Sequence, residues 1–147
     1  MIALARRRTR KGFTLVEILV VVVVIAILAA VVLPKFINSG LRGRESALKS
    51  DLTLARNALE MFHNDCSAWP SSLADLAAAT APATGLDDSG NSYTIVAANW
   101  KGPYLASIPT DPVSSNAITY TKTSPNVGKV NSSAAGNDSA GNPYSGY

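Results

Sequence analysis

From residue 13 to residue 33 the chain carries almost no polar side chain. It reads Phe-Thr-Leu-Val-Glu and then an unbroken apolar run to Leu33, with Thr14 and Glu17 the only interruptions. About 20 apolar residues is the length that crosses a bilayer as a helix. The valines at 20–24 are poor helix formers in water. In hydrocarbon the backbone must satisfy its own hydrogen bonds, and helix wins regardless. At Pro34 the pattern changes. Proline lacks an N–H and bends or ends a helix, and Asn38, Ser39, Gly40 and Gly43 weaken it further, so a kinked or locally meltable stretch is expected over 34–43. A helical period then resumes. Leu41, Leu48, Leu52, Ala55, Leu59 and Phe62 are spaced by 7, 4, 3, 4 and 3, which places one apolar stripe on one helix face. Arg44, Glu45, Lys49, Asp51, Arg56 and Glu60 mainly occupy the other faces. The stripe reads as the core side of a globular head rather than a coiled-coil seam, because a strand-bearing body follows.

That body shows weaker signals. Trp69 to Leu76 predicts a turn into a short helix capped by Ser71 or Ser72. Residues 77–91, rich in Ala, Thr, Gly and Asp, read as a loop. Tyr93–Val96 is a short strand candidate, Lys101–Leu105 a turn followed by an extended piece, and Ile118–Thr121 alternates like a half-buried strand. Residues 124–147, rich in Ser, Asn and Gly, predict a surface loop or tail.

Charge sharpens this division. The chain carries 13 Lys and Arg against 10 Asp and Glu, but Arg6, Arg7, Arg8, Arg10 and Lys11 lie before the apolar run. Without residues 1–12, eight basic residues face ten acidic ones, so the basic balance belongs to a leader, and no nucleic-acid surface is expected on the body. Positive residues stay on the cytoplasmic side of a membrane, which predicts a cytoplasmic N-terminus and an extracytoplasmic head. A secretory signal peptide would have a shorter apolar core and a small-residue cleavage site after it. Here Ala29-Ala30 leads instead into Val-Val-Leu-Pro. A plain signal anchor explains length and orientation but leaves Glu17 without a purpose.

A carboxylate in an apolar span costs roughly 2.5–3.5 kcal/mol at the bilayer centre and less near the interface, and the span holds no Lys or Arg. A cut after Gly12 would create an α-amino group at Phe13. Four residues apart on one helix, that amine and Glu17 meet poorly. Between staggered subunits they meet naturally, one subunit's carboxylate neutralising the next subunit's amine and setting the axial register. The competing reading is a snorkelling or protonated glutamate.

The run Lys11-Gly12-Phe13-Thr14-Leu15-Val16-Glu17, followed by an apolar segment closing at Pro34, resembles the type IV pilin and type II secretion pseudopilin family. The resemblance implies cleavage between Gly12 and Phe13 by a prepilin peptidase, N-methylation of Phe13, and assembly roles for Phe13, Glu17 and Pro34. It further implies an α+β fold in which a long helix, hydrophobic and then amphipathic, packs on a small antiparallel sheet with long loops. The implied division is a leader at 1–12, a membrane and polymerisation helix at 13–33, its amphipathic continuation at 34–66, and a head at 67–147. In the head, Trp100–Leu105 and Ile108–Pro112 resemble the start of the C-terminal region of the major secretion pseudopilins. Asp138-Ser139-Ala140-Gly141-Asn142-Pro143-Tyr144 resembles their Asp-Pro-Trp-Gly-Asn-Pro-Tyr segment, although more than twenty residues separate the two pieces here. The family's calcium-binding loop has no clear counterpart.

Catalytic chemistry finds no support. His63 and Cys66, single residues of their kinds, lack a third group to support a nucleophile, and no phosphate-binding or dinucleotide loop is present. Cys66 reads as a small buried hydrophobe and His63 as a solvated or capping group. Asp87 and Asp88 with Asn91, Asp138 with Asn137 and Asn142, and Asp111 are weak candidates for calcium, short of a full ligand set; no other cofactor is expected. Tyr144 and Tyr147 read as packing or interface groups. The expected protein is therefore a filament subunit, a type II secretion pseudopilin by its resemblance, rather than an enzyme, and is itself the substrate of a prepilin peptidase and methyltransferase. Its expected partners are copies of itself, minor pilins or pseudopilins and an inner-membrane assembly platform. The alternatives are a type IV pilus subunit and a membrane-anchored binding module that keeps its leader.

Overall fold

In the computed structural model, which describes residues 12–147 and, over 34–38, the backbone alone, the apolar run and the amphipathic stripe belong to one helical element, α1 (Leu15–Cys66). The leader lies outside the described residues. Helical backbone continues through 34–43, so the proline and glycines expected to loosen this stretch do not end the helix. A proline inside a helix removes one donor and crowds the preceding turn, which bends a helix without having to end it.

The chain divides into an N-terminal unit ending at Ser39 and a head beginning at Gly40. In the first unit, Leu15–Leu33 is a 19-residue span of mean hydropathy 3.4 with none of its residues buried. Its leucines, isoleucines and valines are all exposed among the described residues. Such a surface is stable in lipid or against other helices, and costly in water.

The head forms on the second half of α1. Leu48, Leu52, Ala55, Leu59 and Phe62 are buried as the spacing predicts; Cys66 extends the stripe, and Ala68, just past the helix end, joins the same core. Against it pack Leu76, Ile95, Leu105, Ile118, Val130 and Tyr144. Val130 comes from a strand, Leu76 and Tyr144 from 3-10 turns, and Ile95, Leu105 and Ile118 from connecting segments; the strands of the described residues form two small antiparallel sheets. One has the order β1 (Trp69–Pro70), β2 (Thr84–Leu86), β3 (Ser92–Thr94), with Trp69 opposite Leu86 and Gly85 opposite Tyr93. The other pairs β4 (Thr119–Tyr120) with β5 (Val130–Asn131), Tyr120 facing Val130. A 3-10 turn at Leu73–Ala77 follows Ser72 as its N-cap residue. The Ser72 N–H donates to the Asp75 carboxylate at 2.8 Å, one half of a capping box.

Three expectations need correction. Residues 77–91 are not a loop throughout, because β2 lies among them as the central strand of its sheet. Its sequence, Thr-Gly-Leu, has no strand signature. Gly85 is required because a Cβ there would stand 2.5 Å from the Trp69 carbonyl oxygen and 3.2 Å from Ala68 and Ile95. Residues 124–147 are not a surface tail. Val127, Val130, Ser132, Asp138 and Tyr144 are buried, β5 lies among them, and a second 3-10 turn spans Tyr144–Gly146. Finally, Glu45 does not lie on a polar face. It is buried in the seven-residue gap between Leu41 and Leu48, on the apolar stripe itself.

Candidate functional site

The N-terminal site is built by the helix start. Phe13 and Thr14 precede the first turn of α1. The Thr14 N–H donates to Glu17 Oε2 at 3.0 Å and the Thr14 hydroxyl to the same oxygen at 3.1 Å. The Glu17 N–H in turn donates to Thr14 Oγ1 at 3.3 Å. This is a reciprocal capping box of the Thr-x-x-Glu type, and it places a negative charge at the positive end of the helix dipole. Sequence reasoning sought Glu17's partner outside the subunit and missed Thr14, although the three-residue spacing carries the signal. Phe13 is 81% exposed, so the residue after the Gly12/Phe13 junction is accessible. Pro34 lies within α1.

In the head, each acidic residue considered as a cation ligand is already occupied by donors from its own chain. Asp111 is fully buried. Its Oδ1 accepts the N–H groups of Val113 (2.8 Å) and Ser114 (3.1 Å), and its Oδ2 accepts the Ser132 hydroxyl (2.5 Å) and the N–H groups of Ser133 (3.0 Å) and Ala134 (3.2 Å). Burial pushes its pKa up, but these donors outweigh that and hold it below the usual value. Asp138 Oδ1 accepts the N–H groups of Ala140 (2.9 Å) and Asn142 (2.7 Å), and its Oδ2 accepts the Asn142 side-chain amide (3.2 Å) and the Tyr147 hydroxyl. Asp87 accepts the N–H groups of Ser89 and Asn91 in an exposed turn. Asp88 accepts the Trp69 indole N–H at 2.9 Å, with His63 Nε2 at 3.7 Å. His63 itself stacks on Trp69 with ring centroids 4.2 Å apart, which gives this lone histidine a packing role.

These carboxylates are not gathered. Among the described residues no three His, Cys, Asp or Glu side chains are placed to hold one metal ion. Calcium requires six to eight oxygen ligands with free lone pairs, whereas the groups around Asp111 and Asp138 present N–H and O–H. The residues do not fit that ion.

Glu45 is the buried carboxylate that sequence reasoning passed over. Its Oε1 accepts the Ser139 N–H (2.7 Å) and the Tyr144 hydroxyl (2.9 Å), and its Oε2 the Ser139 hydroxyl (2.6 Å). The Ser139 hydroxyl chiefly holds its pKa below the ordinary value. Trp100–Leu105 is fastened farther along α1, toward its C-terminal end. The N–H groups of Tyr104 and Leu105 both donate to the Leu76 carbonyl, at 2.8 and 3.0 Å. The Tyr104 hydroxyl donates to Asp65 at 2.9 Å, while its ring meets Phe62 edge-on at 5.5 Å.

With this geometry in place, comparison with known proteins is decisive. The model of the prokaryotic N-terminal methylation motif matches residues 7–33, and that of the type II secretion system protein G matches residues 35–144. The chain belongs to the type II secretion system protein G family. Relatives of this protein G family member include the type II secretion system core protein G of Pseudomonas aeruginosa, 36% identical over 116 residues, covering 67% of this chain and 82% of that protein. The core protein G of Vibrio cholerae is 30% identical over 107 residues, 73% of this chain and 68% of its own. A type IV wide pilus major component of Thermus thermophilus is 33% identical over 102 residues, 65% of this chain and 78% of its own. No solved structure matches. The family match reaches residue 144 and so takes in both echoes, Trp100–Pro112 and Asp138–Tyr144, together with the residues between them that fill the head core.

Proposed function

We propose that this chain is a prepilin processed between Gly12 and Phe13, N-methylated on Phe13, and built into a pilus-like filament of a type II secretion system. The observation that carries the proposal is one element with two surfaces. From Leu15 to Leu33, α1 has no buried residue and is apolar but for Glu17; beyond it the same element carries the core of a protein G head. Lipid covers the apolar surface before assembly, with the N-terminus cytoplasmic and the head periplasmic. Neighbouring subunits cover it afterwards.

The capping box gives the carboxylate a resting state. In a single subunit Glu17 is satisfied by Thr14, so it can wait in the membrane without a cation. On assembly the methylated amine of a neighbouring Phe13 offers full charge complementarity. Exchange of a neutral donor pair for a cationic one is favoured in a low-dielectric setting. Copies of this chain, minor pseudopilins, the prepilin peptidase and an inner-membrane assembly platform are the proposed partners. The chain's role is structural, and the peptidase and methyltransferase act on it.

Purified wild-type protein analysed by mass spectrometry is expected to begin at methylated Phe13, and Glu17→Ala should be processed identically yet form no filaments. An intact Met1 leader would show a membrane-anchored protein instead, and normal filaments from Glu17→Ala would remove the proposed role of the carboxylate. The resemblance to a pilus component in Thermus thermophilus favours one second reading, a type IV pilus subunit. Long surface fibres seen by electron microscopy of intact cells would select it.

A further inference from the structure

Residues 136–147 have little apolar material with which to hold themselves to the head. Only Asp138 and Tyr144 among them are buried. Polar fastenings therefore carry the segment, and they converge on two carboxylates. Glu45, from the apolar stripe of α1, receives Ser139 through both its N–H and its hydroxyl, and Tyr144 through its phenol. Asp138, within the segment, receives two backbone N–H groups, the Asn142 amide and the phenol of Tyr147. The Tyr147 ring meets Tyr144 edge-on at 5.7 Å, and Lys49 Nζ stands 4.7 Å from its centroid. Both carboxylates are thus bound to donors at each oxygen, and a lysine lies beside them.

A divalent cation would close such a segment differently. It would need the lone pairs of Asp138 and of neighbouring carbonyl oxygens turned toward one point. Here N–H and O–H groups stand where the ion would have to be, and their partial positive charge opposes it. We infer that this head closes its 136–147 segment without a divalent cation, and that the phenol of Tyr147 on Asp138, with Ser139 and Tyr144 on Glu45, takes the place of one. Hydrogen bonds to ionised groups are the stronger kind, and several on one short segment restrict it cooperatively. Tyr147 is a positioning residue in this scheme. Its ring packs on Tyr144, and its hydroxyl completes the loop.

The test uses the processed full-length chain in detergent micelles, with thermal unfolding of the head followed by near-ultraviolet circular dichroism. The wild type is expected to melt at the same temperature in excess EGTA and in millimolar calcium chloride. Tyr147→Phe, which keeps the ring and removes the hydroxyl, should lower the midpoint by at least about 4 °C, with no recovery on adding calcium. Ser139→Ala, a smaller change, should lower it similarly. Loss of wild-type stability in EGTA would overturn the inference, as would a rise on adding calcium. Tyr147→Phe and Ser139→Ala both melting like the wild type would equally remove the proposed clasp. The outcome is independent of filament assembly, so it stands or falls apart from the proposed function.

Discussion

At the scale of single residues, the head is organised by polar groups that its composition gives no reason to single out. Asp111 is the clearest case. Five donors from two separate stretches of chain, 113–114 and 132–134, meet on its two oxygens, so one side chain holds together segments about twenty residues apart. Replacing it by alanine leaves those buried donors without partners. Asp111→Ala is expected to cost roughly 2–4 kcal/mol, since each unsatisfied buried group carries about 1–3 kcal/mol, with some donors recovering water. Urea unfolding measures this directly. Gly128 is a second such position. It has φ of +83°, and a side chain there would strike the Trp69 indole. Trp69 in turn stacks on His63 and donates to Asp88, so the residue without a side chain fixes the placement of three that have one.

At the scale of elements, α1 separates two faces of the same helix. Leu52 is 1% exposed in the stripe, while Leu54, two residues on, is 53% exposed. Leu52→Ala is expected to destabilise the head by about 2–5 kcal/mol, the range for a buried leucine whose cavity cannot collapse. Leu54→Ala should stay within about 0.5 kcal/mol. Hydrogen exchange on the processed protein would read the difference as lost protection throughout the head for the first variant alone. The periodicity made these assignments legible, because 3.6-residue repetition over many turns leaves no other face for the large side chains. Glu45 was not legible by the same rule. A charge in an apolar stripe is read outward by default, because burial costs it solvation. Only Ser139 and Tyr144, more than ninety residues away, supply the donors that make burial tolerable. The strands were harder still. With two or three residues each they are too short for alternation to register, and β2 and β5 exist because partners are brought alongside them.

At the scale of the whole molecule, two units with different physics share one chain. The first unit's surface suits hydrocarbon or other helices. The head is a water-exposed body whose fastening depends on ionised carboxylates. Glu45, Asp111 and Asp138 all have folded pKa values held below their ordinary ones. The chief lowering donors are the Ser139 hydroxyl for Glu45, the Ser132 hydroxyl for Asp111 against the upward push of burial, and the Tyr147 hydroxyl for Asp138. Their stabilisation is fully present above the unfolded carboxylate range, about pH 4. As the pH falls below that range, the unfolded chain takes up protons first, and the contribution drains away until the folded groups protonate too. The head's unfolding midpoint should therefore be flat from about pH 7 to pH 5 and drop steeply below about pH 4. A midpoint that rose on acidification would contradict this ordering of pKa values. The Leu15–Leu33 span of α1 contains none of these groups, so its partition into detergent or lipid should not follow the same profile.

The amino-acid order alone made the long N-terminal apolar helix legible. The basic residues before Gly12, the Gly12-Phe13 pair, Glu17 and the apolar run are contiguous, and what they suggest rests on local spacing and on the thickness of a bilayer. The amphipathic stripe is local in the same sense, which is why its core face could be read from its period. Tertiary structure decided the rest of the head. It turned Thr-Gly-Leu into a central strand, made a Ser- and Asn-rich stretch part of the core, drew Glu45 inward, and gave Asp111 and Asp138 donors where a cation had been considered. Except at Asp138, whose donors lie within nine residues of it, those outcomes depend on groups distant in sequence meeting in the folded head. A weak local preference yields to such a meeting, because a buried polar group left unpaired costs more than a short segment's propensity can supply.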